Sequence, residues 1–150
     1  MIYIAPGDPS DPGAATLLRA SHALMEELFE PESNNFLDFE ALKASHIRFF
    51  TATDGKVTYG TGALAEYDDY AEVKSMFVAE TARGKGIASM ILNRLEMEAR
   101  VLGKPWLKLE SGDKLMAALK LYERHGFSYC GVFGDYVQTH ESIYMEKRLD

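Results

Sequence analysis

Two glycines one residue apart, Gly84 and Gly86, separate a strand-like segment from a long helix-like one, and this turn constrains the chain more than any other feature. Upstream runs Val73-Lys74-Ser75-Met76-Phe77-Val78; downstream, Ile87, Met90, Ile91, Leu95, Ala99 and Leu102 recur along one helical face. A helix is expected over about 84–102, stopped by Gly103 with Pro105 just beyond. The first amides of such a helix have no intrahelical partner and lie at the positive end of its dipole. Glycine at 84 and 86 removes Cβ atoms there, so a pyrophosphate can approach the backbone closely. Arg83 and Lys85 add mobile positive charge beside it. A plain helix start, with the glycines serving a tight turn, is the alternative.

Two familiar anion motifs fail or fit poorly. A Walker A loop needs glycine five residues before a Gly-Lys pair and Ser or Thr after it, where Ala79 and Gly86 stand here. A dinucleotide fingerprint aligns only as Gly84, Gly86 and Ser89, and residues 79–83 intervene between strand and first glycine. Dinucleotide binding is therefore a weak second reading of the turn.

The flanking sequence places this turn in a larger pattern. Residues 2–5 alternate as a short strand, and Asp11-Pro12 reads as an N-cap followed by proline at the first helical position. Leu17, Leu18, Ser21, Leu24, Met25, Leu28 and Phe29 continue that helix towards Pro31. A polar loop over 31–37 follows, and Asp38 begins a short helix through Lys43. Residues 47–53 and 57–65 flank Asp54-Gly55, a strong hairpin signal, and a turn at 66–70 leads into a strand over 71–79. After the long helix come a strand over 106–110, a helix capped by Asp113 and ended by Gly126, and a final antiparallel pair over 127–132 and 141–149. The strand–helix–strand run through 71–110 implies one parallel pair with a right-handed crossover. The expected fold is α+β, a mixed and mostly antiparallel central sheet with helices on both faces.

Composition narrows the function. The 150 residues fit one domain over 1–150, and the 47% hydrophobic content is that of a globular chain. Cys130 stands alone, which excludes an internal disulfide framework and fits a reducing, cytoplasmic compartment. No apolar run approaches the roughly 18–20 residues needed to cross a bilayer, and the first residues carry no basic leader. His22, His46, His125 and His140 are too dispersed for a metal site, so no metal is expected. His125, at a helix C-terminus, suits the dipole as a cation. The net charge is −7, but residues 1–72 hold 4 basic and 13 acidic side chains, whereas residues 83–108 hold 6 basic and 2 acidic. That division suits a small anion at the basic segment and excludes a nucleic-acid footprint, which needs a domain-wide basic excess.

Arg83-x-x-Gly86-x-Ala88 resembles the R/Q-x-x-G-x-G/A signature of the GNAT family of N-acetyltransferases. A second stretch agrees: Leu107-Lys108-Leu109-Glu110-Ser111-Gly112, then Ala118-Leu119-Lys120-Leu121-Tyr122-Glu123-Arg124-His125-Gly126-Phe127, similar to the family's "LxLET…A…LYExxGF" segment. Element order fits over nearly the whole chain. Pro31-Glu32-Ser33 and Phe133-Gly134-Asp135-Tyr136 also resemble a bacterial subgroup of indole-acetate-type acetyltransferases, in which histidine is common where Asn35 stands here.

The resemblance implies acetyl-coenzyme A as cosubstrate and a small-molecule amine as acceptor, with no membrane partner and room for a homodimer. The amides of Arg83, Gly84, Lys85, Gly86, Ile87 and Ala88 would hold the pyrophosphate. Met76, Phe77 and Val78 would pair with the pantetheine amides where two parallel strands splay apart, and the amide of Phe77 or Val78 would polarise the thioester carbonyl. Tyr122 matches the family tyrosine that acts as general acid to the departing thiolate, with a core tyrosine as the alternative. Leu115 stands where some members carry asparagine. Glu72 and Glu110 are the candidate bases, directly or through water, or else structural carboxylates. The acceptor pocket is expected from the 31–37 loop, the 66–70 turn and the 133–138 loop, and the acidity of residues 1–72 favours a cationic acceptor. A non-catalytic acyl-coenzyme A-binding module is the competing function.

Overall fold

Asp54 turns β2 (Ile47–Thr53) back on β3 (Thr58–Glu66) by accepting the amides of Lys56 and Val57 on Oδ1, at 2.9 and 2.8 Å. β1 (Tyr3–Pro6) adds to the outer edge of β2, and β4 (Ala71–Val78) pairs antiparallel with β3. The computed structural model describes residues 1–150. Beyond β4 the chain crosses through α2 (Ile87–Val101) to β5 (Trp106–Gly112), which lies parallel to β4. α3 (Met116–Arg124), β6 (Ser128–Cys130) and β7 (Ser142–Arg148) complete a seven-stranded sheet of order β1-β2-β3-β4-β5-β7-β6. This is the expected mixed sheet, with a single parallel pair. No helix is long and apolar enough to cross a membrane.

The sheet has helices on both faces. α2 and α3 cover one face over a cluster of 19 buried apolar residues, among them Leu64, Val73, Ile91, Leu95, Leu107 and Met145. α1 (Pro12–Leu28) covers part of the other over five, Ala14, Leu18, Leu42, Phe49 and Ala63. Gly60 and Gly62 let α2 approach: a Cβ on Gly62 would stand 2.4 Å from Ile91 Cγ2.

Three local expectations change. α2 begins at Ile87, because Gly84 and Gly86 both hold φ +79°, outside any helix. Asp113 does not cap α3: the helix opens two residues further on, after Leu115, whose carbonyl takes the Leu119 amide, and no side chain caps it. The final antiparallel pair is shorter than expected, since β6 keeps only Ser128–Cys130.

One irregularity shapes β4. Ala63 pairs with Lys74 but Thr61 pairs with Phe77, so one extra residue bulges from β4 opposite Gly62. Ser75 carries the left-handed φ of 54°, and Thr61 Oγ1 donates to its carbonyl at 2.8 Å. Before the bulge Glu72 and Lys74 face α1; after it Phe77 does, while Met76 and Val78 pack on the larger cluster with Val73.

Candidate functional site

β4 and β5 pair over only Ala71–Leu107, Glu72–Lys108 and Val73–Leu109, and then part. The rest of β4 has no neighbour on that side. Ala79 N donates to Tyr59 O across β3, so strand alternation turns the amide and carbonyl of Val78 towards the gap. Arg83 Nε donates to that Val78 carbonyl at 3.2 Å and lies over the Phe77 ring, so Arg83 braces the strand end instead of waving beside the turn. Of the two amides proposed as polarisers, Val78 is the one aimed into the gap.

The gap opens into a cleft of about 610 Å³ that runs from the turn at Arg83, Gly84 and Gly86 past Met76 to Val78, and on to Glu110 and Tyr122. At the turn, Ile87, Ala88 and Ser89 precede the first helical bond of α2, from Met90 N to Gly86 O, and no side chain caps them. A Cβ at Gly84 or Gly86 would meet nothing within 4 Å, so the cradle is open, and its positive φ values demand glycine. Three free amides, the helix dipole and the exposed Lys85 can hold a phosphate group there. His125 links α3 to this turn through Nε2 and Ser89 Oγ, 3.0 Å apart. Burial and then Lys147 lower its pKa, which works against the cationic form expected at the helix end.

Strand register places the two acidic candidates and the tyrosine on opposite sides of the sheet. Glu72 lies beside Lys108 in register, so Glu110, two residues on, shares the α1 face with it. Tyr122 belongs to the larger apolar cluster beneath the opposite face, 6% exposed, with its ring against Phe127. Its hydroxyl has no hydrogen-bond partner in the protein, and the residue lines the cleft. Burial, and then the charge of Glu110, push its phenol up to about 12, which keeps the proton on oxygen.

The two carboxylates differ sharply. Glu110 lines the cleft and accepts one long bond from Asn35 Nδ2, at 3.4 Å. Burial raises its pKa to about 7, against the pull of Lys74 and Asn35, so it can exchange a proton near neutral pH. Glu72 is 3% exposed and lies outside the cleft. Tyr136 OH donates to it in a short bond, and Lys74 Nζ stands 3.5 Å away. Lys74 Nζ also donates to Tyr136 OH at 2.6 Å and to Asn35 O at 3.2 Å, which ties the 133–138 and 31–37 loops to β4. Burial raises the pKa of Glu72, and burial with the adjacent Glu72 charge raises that of Tyr136.

Lys74 and Asn35 form a wall between the cleft and a second cavity of about 650 Å³, lined by Asp68, Asp69, Glu72, Asp135, Tyr67 and Tyr136. The three segments expected to build one acceptor pocket do meet, at the second cavity, through Asn35 and Leu37, the 66–70 turn and residues 134–136. Residues 33–36 also line the cleft, so the 31–37 loop serves both. Lys74, Tyr136 and Ser75, whose buried Oγ lacks a partner, are absent from the sequence-based candidates. Tyr136 lies in the 133–138 loop expected at the acceptor pocket, whereas Lys74 and Ser75 were signalled only by their place on the strand that runs into the glycine turn.

Residues 45–129 match the model of the acetyltransferase (GNAT) domain. The chain is 37% identical to an Azospirillum brasilense protein named IAA acetyltransferase, covering 99% of this chain and 98% of that one. A solved Klebsiella pneumoniae structure described as an acyl-CoA N-acyltransferase superposes with a TM-score of 0.86 at 26% identity, over 100% and 99% of the two chains. A Bacillus subtilis acetyltransferase solved with CoA shares the fold with a TM-score of 0.72 at 17% identity, over 99% of each chain. Sequence and fold agree: this chain belongs to the GNAT acetyltransferases.

Proposed function

We propose that the protein transfers an acetyl group from acetyl-coenzyme A to the primary amine of a small-molecule acceptor by direct attack. The observation that carries this reading is the gap between β4 and β5, with Tyr122 beneath one face of the sheet and Glu110 on the other, both lining one cleft. The CoA complex of the Bacillus subtilis fold neighbour supports the choice of cosubstrate. The open glycine turn fits its pyrophosphate, with the amides of Ile87, Ala88 and Ser89 as donors and Lys85 as counter-charge. When bound, acetyl-coenzyme A supplies the activated acyl group.

The chain's own residues perform the rest. Val78 N–H is aimed to donate to the acyl oxygen as negative charge grows on it. Glu110 takes the proton of the attacking amine, directly or through one water, at a pKa of about 7 that suits the task. As the C–N bond forms and the C–S bond breaks, Tyr122 O–H donates to the departing sulfur and returns a proton to it. Glu72, bonded to Tyr136 and Lys74, holds the wall of the site.

Thiol release from acetyl-coenzyme A, measured with a panel of primary amines, tests the reading. Amine-dependent release, together with thermal stabilisation by coenzyme A and not by NAD, supports it. Coenzyme A binding without release from any amine favours the alternative of a non-catalytic acyl-coenzyme A-binding module.

A further inference from the structure

We propose that the acceptor is a primary amine on an apolar body, an arylalkyl or branched alkyl amine, and that Phe29 is the side chain that selects it. This rests on the acetyltransferase reading above and specifies its acceptor half.

Phe29 is 7% exposed yet belongs to neither apolar cluster of the sheet. It lines the cleft, and Leu24, Met25 and Phe36 line it too, on the α1 face where Glu110 stands. A buried phenylalanine that packs in no core and faces a cleft is a wall of that cleft. Its seat is specific: a Cβ on Gly112, at the end of β5, would fall 2.1 to 2.8 Å from three atoms of the Phe29 ring. Glycine at 112 is what lets the ring lie there.

The ring is also clamped from both neighbours. Lys114 Nζ donates to Leu28 O at 2.6 Å and pairs with Glu141 Oε2 at 3.1 Å, while Glu30 N donates to Glu141 Oε1 at 3.0 Å. The same ammonium stands 5.4 Å from the centre of the Phe29 ring. A wall preorganised in this way rewards an apolar ligand without first having to be ordered.

The acidic residues of the N-terminal half offer a polycation no equivalent seat beside Glu110. Glu66, Asp68 and Asp69 line the second cavity, behind Lys74, together with Asp135 of the C-terminal half. Lys74 already reaches Tyr136, Asn35 and Glu72, so a cationic body extending that way would have to displace an ammonium from its three partners.

The test compares kcat/KM for 2-phenylethylamine and isoamylamine with that for spermidine and putrescine, at saturating acetyl-coenzyme A. The apolar amines are expected to exceed the polyamines by about tenfold or more, the scale on which apolar pockets discriminate. Phe29→Ala should reduce that ratio by about tenfold through KM, with Phe29→Leu retaining most of it. Calorimetry of 2-phenylethylamine with the coenzyme A-loaded protein reads the same site without turnover and should show a matching loss for Phe29→Ala. Preference for spermidine, or a ratio that Phe29→Ala leaves unmoved, overturns the inference while leaving the acetyltransferase reading intact. Coenzyme A binding with no thiol release from any amine, and no heat from 2-phenylethylamine, overturns both.

Discussion

Under α2 and α3 the sheet buries 19 apolar side chains; under α1 it buries five, and beyond them come Glu72, Lys74 and Tyr136. The same strands supply both faces. On the first, burial of hydrocarbon stabilises the fold and needs only complementary shape. On the second, polar groups are held out of water by one another, at an energetic cost that an apolar filling would avoid. A protein that retains such a face is using it for something other than stability. The gap between β4 and β5 is where the two meet, and Tyr122 is the side chain that belongs to the first and lines the cleft shared with Glu110 on the second.

The largest expected effects break the contact between the faces. Tyr122→Phe or Glu110→Gln should lower kcat at pH 8 by about 10²–10⁴ with coenzyme A binding retained. Steady-state thiol release and a thermal shift measure the two parts, and an undiminished kcat removes the residue concerned from the chemistry.

Matched core truncations come next. Leu95→Ala, in the larger cluster, should cost towards the upper end of about 2–5 kcal/mol in urea unfolding, and Leu42→Ala towards the lower end. The small cluster, built on a short 3-10 turn at Ala41–Lys43, can collapse around a lost side chain. Equal losses would erase the distinction between the faces.

A subtler effect follows from the buried carboxyl of Glu110. Its pKa of about 7 lies above the ordinary value, so the folded state holds that proton more tightly than the unfolded state does. Its contribution to stability is therefore full below about pH 4.3 and is lost as pH rises through 7. The advantage of Glu110→Gln over the parent should grow by about 1–3 kcal/mol between pH 4 and pH 8, a range discounted for partial solvent access. The acidic limb of kcat/KM near pH 7 should vanish in the same variant. The smallest effect belongs to Glu72→Gln, which should change kcat by less than about tenfold. A loss matching that of Glu110→Gln would exchange the roles of the two carboxylates.

Features set by a few neighbouring residues were legible in the sequence. Asp54-Gly55 dictates its hairpin, Gly103 and Pro105 stop α2, and the order of elements leads to one parallel pair. The glycine turn was legible too, because positive φ leaves few alternatives. What depends on distant partners was not. Glu72 and Glu110 looked alike until Tyr136, from 64 positions away, bonded one of them and left the other facing the cleft. Phe29 reads as one more residue on a helical face, and nothing in the sequence seats it on Gly112. Asp113 has the identity of a cap, but the helix opens two residues beyond it, after Leu115. The charge of residues 1–72 was visible as a sum; that Glu66, Asp68, Asp69 and Glu72 line the second cavity and that none of these acids lines the cleft was not.

The bulge at Ser75 makes chain length itself a requirement of the site. Removing that one residue would restore an even ladder between β3 and β4 without exchanging any faces: Lys74 and Phe77 would still face α1, and Met76 and Val78 would still pack with Val73. What would go is the bend and extra twist that a bulge gives its strand, just beyond the point where β4 leaves β5. A straightened β4 is free to run on beside β5, and the Val78 amide would then be spent on that neighbour instead of facing an opening. Many side chains can stand at position 75 if they tolerate a left-handed backbone, but the position cannot be missing.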